Sequence, residues 1–168
     1  MLENNKNKNG FTLIETLIYI AIIGGVVVSF VTFALSINSS RSKTYVVQEV
    51  QANGRKALDL ISQQVRTASD VSTPAEGVSG STLVLDMGVN PDITFSLNSG
   101  VLQLTEGVGS SVNITSDEVN ITSLTFINLA QSGEKDHIKI ELISEFRDNG
   151  DVVNSYTQDL VTAVSLRQ

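Results

Sequence analysis

From Thr16 to Ser40 this 168-residue chain carries no charged side chain, and Ile, Val, Leu, Phe and Ala dominate as far as Ile37. About 20 consecutive apolar residues suffice for a helix to cross the hydrocarbon core of a bilayer. The run is therefore long enough to serve as a membrane anchor. Glu15 stands at its mouth, where a lone charge costs roughly 2.5–3.5 kcal/mol at bilayer depth. A carboxylate held there calls for a cationic partner.

The residues around Glu15 narrow the possibilities. They read Lys8-Asn9-Gly10-Phe11-Thr12-Leu13-Ile14-Glu15-Thr16-Leu17, with Lys6 and Lys8 ahead of the apolar run. A secretory signal has an apolar core of about 7–15 residues with its cut after that core. Here the core is longer and Gly10 precedes it, so a cut at Gly10 leaves the anchor attached. The segment resembles the leader and N-terminal helix of type IV pilins and pseudopilins. That resemblance covers about Lys6 to Ser36. It implies a prepilin peptidase that cuts after Gly10 and methylates the new amino group of Phe11. A new α-amino group titrates near pH 7.7–8.0 and stays cationic when methylated. Phe11 and Glu15 are four residues apart, one turn and one helical face. Within one chain they can neutralise each other. Between chains, the resemblance implies that Glu15 of an incoming subunit meets the Phe11 amine of a neighbour. Glu15 is then an assembly residue, with headgroup snorkelling as its alternative.

Past the anchor, Val47, Val50, Gly54, Ala57, Ile61, Val65 and Ala68 recur at spacings of three and four. That is an amphipathic stripe, and no proline occurs before Pro74. One helix from Phe11 to about Ala68 would be roughly 87 Å long at 1.5 Å per residue. Gly24-Gly25 is a point for a bend or for close packing against another helix. The proline often found farther along the family's apolar helix is replaced here by Thr32.

From Ser69 the texture changes. Residues 72–80 read as a loop, and Thr82–Asp86 as a strand. Ile93, Phe95 and Leu97 alternate, Asn98-Ser99-Gly100 forms a three-residue turn, and Leu102 and Leu104 resume the alternation. Further strands are expected near Ile121–Leu129 and Ile138–Phe146. Asn149-Gly150 is a hairpin turn into a last strand around Ser155–Leu166. The expected fold is α+β: a long N-terminal helix whose second half packs on an antiparallel β-sheet head. The domains are then a leader (1–10), a transmembrane and assembly helix (11–40), an amphipathic helix (41–69) and a β-rich head (70–168).

Charge is uneven. Without the leader the chain has 9 basic and 17 acidic side chains, a formal −8. Residues 41–68 carry +3 and residues 69–168 carry −10. A basic helix and an acidic head attract each other, within a subunit or between neighbours; solvated surface charge is the alternative. Lys6 and Lys8 before the span are nearly balanced by Arg41 and Lys43 after it, so charge alone does not orient the anchor. The leader resemblance implies a cytoplasmic N-terminus in a bacterial inner membrane, with the head outside.

Catalysis finds little support. His137 is the only histidine and there is no cysteine, HExxH, P-loop or GxSxG pattern. Asp148, Asn149 and Asp151 fall short of calcium-loop spacing. The sequon-like Asn113-Ile114-Thr115 and Asn120-Ile121-Thr122 fit strand composition. No enzyme activity, cofactor, metal or small-molecule substrate is expected, and an acidic head does not favour nucleic acid. Many major pilins close a C-terminal loop with a disulfide, which this cysteine-free chain lacks. Residues 57–68, Asn98-Ser99-Gly100-Val101-Leu102, Val119–Phe126 and Val164–Gln168 also resemble J-type minor pseudopilins and related minor pilins. These are patterns that many strand-rich domains share. The expected partners are prepilin peptidase, membrane lipid and other pilins or pseudopilins through the N-terminal helix. The function implied is a minor pilin or pseudopilin that initiates or caps a filament. A major filament subunit and a non-polymerising, membrane-anchored binding or sensor domain are the alternatives.

Overall fold

A computed structural model describes residues 10–131, 135–147 and 155–167. The leader residues Lys6 and Lys8, the Asn149-Gly150 turn and the trio Asp148, Asn149 and Asp151 lie outside them. Two compact units divide the chain, residues 1–42 and 43–168. Helix α1, Leu13–Thr67, contributes to both.

In the first unit the helix is apolar on every side and exposed on every side. Every residue from Leu13 to Ser42 is exposed except Glu15, which is half-buried. By length and composition α1 is the one helix among the described residues able to cross a membrane.

In the second unit the helix buries one stripe: Val46, Val50, Asn53, Gly54, Ala57, Ile61 and Val65, with Ala68 just beyond it also buried. The period of about 3.6 residues places these on one face. Two departures from the sequence reading occur. Val46 is buried where Val47 was expected, and the polar Asn53 joins the stripe. Asn53 is tolerated because its amide is satisfied. Its Nδ2 donates to the Glu49 carbonyl and carboxylate at 3.0 and 2.8 Å, and its Oδ1 accepts from Ser116 N at 2.8 Å.

Two antiparallel sheets, rather than one, cover that stripe. The strands are β1 (Asp70–Thr73), β2 (Ser79–Gly80), β3 (Leu83–Asp86), β4 (Ile93–Asn98), β5 (Val101–Glu106), β6 (Val112–Asn113), β7 (Val119–Asn128), β8 (His137–Phe146) and β9 (Thr157–Ser165). The first sheet has the order β1-β3-β4-β5-β6 and the second β2-β7-β8-β9. The expected loop at 72–80 thus contains the end of β1 and all of β2. Both sheets contribute to a single core around Ile61, Phe95, Leu102, Phe126, Ile140 and Leu142. The sheets are joined where Ile121 N donates to Gly100 O at 2.8 Å.

The β4–β5 hairpin closes more tightly than expected. Asn98 pairs with Val101, leaving the two-residue loop Ser99-Gly100, with φ of 51° and 79°. Positive φ at both central residues is the signature of a type I′ turn, whose twist matches the flanking strands. Glycine is needed at 100 for a second reason: a Cβ there would lie 1.8 Å from Asn120 Oδ1.

Strand β7 carries a bulge between Ile121 and Ser123. Val119 and Ile121 are buried before it, Leu124, Phe126 and Asn128 after it. One inserted residue exchanges the faces of a strand, so the bulge keeps both apolar sets pointing inward.

Candidate processing and assembly site

Thr12 ends the irregular N-terminal segment and caps α1. Its side-chain oxygen accepts from Glu15 N at 3.3 Å, and its carbonyl accepts from Thr16 N at 3.2 Å. A threonine at the N-cap with a glutamate three residues on is the capping-box arrangement. Thr12 satisfies one of the N–H groups that a helix start leaves without an intrahelical partner. The glutamate side chain does something else here: its Oε1 accepts from Tyr19 OH at 3.3 Å, one turn along. Glu15 is the one half-buried residue among the described residues of its unit.

Gly10 and Phe11 precede the helix and are exposed. The Phe11 ring meets Tyr19 edge-on, with centroids 6.5 Å apart and planes at 77°. In this uncut chain Phe11 lies two residues before the first helical residue, and its nitrogen is part of the Gly10–Phe11 peptide bond. The shared helical face expected for Phe11 and Glu15 concerns the cut chain; in the uncut chain Thr12 is the cap and the helix begins at Leu13. Among the described residues no atom lies within 4 Å of the position a Cβ on Gly10 would take, and its φ is outside the left-handed region. The fold itself places no demand for glycine at this position.

Thr12 and Tyr19 both escaped the sequence reading. Each had a signal: the T-x-x-E pattern for the cap, and the four-residue spacing from Glu15 to Tyr19 for the hydrogen bond. His137 is exposed as expected, its Nδ1 3.0 Å from Ser165 Oγ. Among the described residues the ion pair Lys139–Glu141, at 2.7 Å, joins two side chains of the same strand. Arg55, Lys56 and Arg66 of the helix are exposed, and among the described residues they reach no carboxylate at ion-pair distance.

Residues 5–31 match the family model of the prokaryotic N-terminal methylation motif. No curated protein and no solved structure matches the chain. The motif is one of precursors that prepilin peptidase processes, and it marks a structural subunit with a single apolar anchor. With this motif at the head of its apolar helix and antiparallel sheets on that helix's second half, the chain carries a type IV pilin-like prepilin leader on a pilin-like fold.

Proposed function

We propose that this chain is a minor pilin or pseudopilin subunit, cut between Gly10 and Phe11, methylated on Phe11, and assembled into or at the tip of a helical filament. The methylation motif at residues 5–31 carries this reading. Three features support it. The Gly10–Phe11 bond lies in an exposed, non-helical segment, the conformation a peptidase needs to bind a chain in its cleft. Nothing in the packing of the described residues calls for glycine at 10, which fits a requirement set by an external reader of that position. Glu15 has one carboxylate oxygen engaged by a neutral tyrosine hydroxyl, which leaves its charge available to a cation. The absence of cysteine favours the minor over the major subunit. The anchor then lies in the cytoplasmic membrane with the head outside.

Cleavage converts the Phe11 amide into an ammonium. In apolar surroundings that group and a carboxylate attract strongly, and removing one partner leaves the other charge buried and unpaired. Glu15 of an incoming subunit can supply the carboxylate to a neighbour's Phe11. Intact-mass measurement of the native protein is the test: the working form should begin at Phe11 and carry one extra methyl group. Gly10→Val should leave the mass of the full precursor. Glu15→Ala should be cut and inserted normally yet be absent from sheared filaments. A native protein that still begins at Met1 overturns the reading, as does normal filament entry by Glu15→Ala.

A further inference from the structure

Among the described residues, the outer edge of the second sheet is a long strand with little to protect it. β9 ends that sheet and runs nine residues, Thr157–Ser165, with Asp159 as its one charge. The other edge strands, β1, β2 and β6, have four, two and two residues. The register shows which backbone groups of β9 point outward. Phe146 N donates to Tyr156 O and Leu129 N to His137 O. In an antiparallel ladder hydrogen-bonded and non-hydrogen-bonded pairs alternate. With Glu145 opposite Thr157 and His137 opposite Ser165, the residues bonded to β8 are 158, 160, 162 and 164. Thr157, Asp159, Val161, Ala163 and Ser165 therefore turn their N–H and C=O groups away from the sheet. No hydrogen bond from another described residue reaches those groups. Proteins commonly blunt such an edge with lysines, proline or a covering loop.

Side-chain chemistry on the same face is also one-sided. Val161 is 56% exposed. On β8 Glu141 stands opposite Val161, Ile143 opposite Asp159 and Glu145 opposite Thr157. Lys139 neutralises Glu141, which leaves Asp159 and Glu145 against the cation Arg147, a net negative charge. Glu145 lines a cavity of about 390 Å³ at the start of β9, together with Ser99, Asn120, Arg147, Tyr156 and Thr157. In it Asn120 Nδ2 donates to Glu145 Oε1 at 2.9 Å, and Arg147 Nη2 to Ser99 O at 3.0 Å.

We infer that the β9 edge is a docking site for an extended peptide segment of another protein, added antiparallel as a further strand, apolar opposite Val161 and basic opposite Asp159 and Thr157. Strand addition supplies affinity through main-chain hydrogen bonds and selectivity through alternate side chains. Directly opposed residues share a face, so a basic residue opposite Thr157 extends over that small side chain toward Glu145 and the cavity. Because the strands run oppositely, the segment reads apolar, any, basic, any, basic from its N-terminus. A second copy of this head is a poor occupant, since two heads that each carry a formal −10 over residues 69–168 repel. The site stands whether or not the chain polymerises.

The test uses the full chain in detergent and a fluorescein-labelled nine-residue peptide of that pattern, with threonine or valine at the remaining positions. Binding is read by anisotropy. N-methylation of the two peptide amides facing Val161 and Asp159 should weaken binding about tenfold, the effect of losing two backbone hydrogen bonds. N-methylation of the amides between them, which face away, should leave it unchanged. Charge is identical in all these peptides, so a purely electrostatic attraction predicts equal binding. Val161→Pro in the protein should reproduce the tenfold loss, because its N–H points outward and is not used by β8. Equal binding of both methylated peptides, no binding at all, or a dimer of the chain that Val161→Pro dissolves would each overturn the inference.

Discussion

The two halves of helix α1 share a backbone geometry and differ in everything that surrounds it. Between Leu13 and Ser42 large apolar side chains such as Ile20, Val28 and Phe30 lie bare. Between Lys43 and Thr67 seven residues are buried, and apart from the exposed Tyr45 and Ala52 the rest of that stretch is polar or half-covered. Helical hydrogen bonding is thus indifferent to environment, and the distribution of apolar residues around the axis selects it. An all-round apolar surface has no favourable state in water and suits lipid or other helices. A one-sided stripe suits sheets.

Matched substitutions test this contrast. The largest effect is expected from an aspartate placed in each half. Ile61 is fully buried in the core, and an unpaired carboxylate there costs several kcal/mol. Ile61→Asp should abolish the cooperative melting of the head and expose it to protease. Ile22→Asp should leave head melting unchanged while reducing membrane insertion. If both variants damage the head equally, the contrast is wrong.

The glycines offer a second, smaller contrast. A Cβ on Gly54 would stand 2.7 Å from Leu160 Cδ1, whereas nothing lies within 4 Å of a Cβ on Gly24 or Gly25. Gly54→Ala should destabilise the head, by an overpacking cost of about 1–3 kcal/mol less a helical gain of up to about 1 kcal/mol. Gly25→Ala should strengthen its half of the helix by up to about 1 kcal/mol without moving the melting temperature of the head. Thermal melting followed by circular dichroism distinguishes the two.

Beside Gly54, Ser144 Oγ is buried and has no hydrogen-bond partner among the described residues. Ser144→Ala removes an unsatisfied polar atom and should stabilise the head by about 1 kcal/mol, read as a shift in denaturant midpoint. A loss of stability would mean that the hydroxyl has a partner.

The smallest expected effect is one of pH. Tyr45 OH donates to the Glu118 carboxylate. That hydrogen bond, then desolvation, then the negative charges of Glu118 and Glu49 raise the Tyr45 pKa above the ordinary tyrosine value. A raised folded-state pKa means that the contact's contribution is complete below about pH 10, the unfolded value. It is lost as pH rises through the higher folded-state value. A phenolate absorbance titration should give a midpoint above that of free tyrosine, and Glu118→Gln should bring it down.

Much of this molecule was legible in its residues. The apolar run and the spacing of Val50, Ala57, Ile61 and Val65 specify a helix and its two environments through local periodicity alone. The parity break between Ile121 and Leu124 was equally present in the sequence, as two alternating sets offset by one residue, which only a bulge can reconcile. Asn53 was not legible, because a polar residue within a stripe reads as an error until Ser116, 63 positions away, is seen to satisfy it. The partition of the strands into two sheets was likewise hidden, since alternation states which face of a strand is buried and not which strand lies beside it. Gly10, Phe11 and Glu15 could be named from order along the chain. Tyr19 as the hydrogen-bond partner of Glu15 needed coordinates to single it out among several neighbours one turn away.

By itself the sequence determined the anchor, the leader and the helical stripe, all of which follow from the types of residues within a few turns of one another. Tertiary structure alone decided that β9 is an edge, that Asn120 fills the space beside Gly100, and that Glu145 and Arg147 share a cavity. Those facts depend on contacts between residues far apart in the chain. The free energy of such contacts is settled by packing in three dimensions, which local periodicity does not encode.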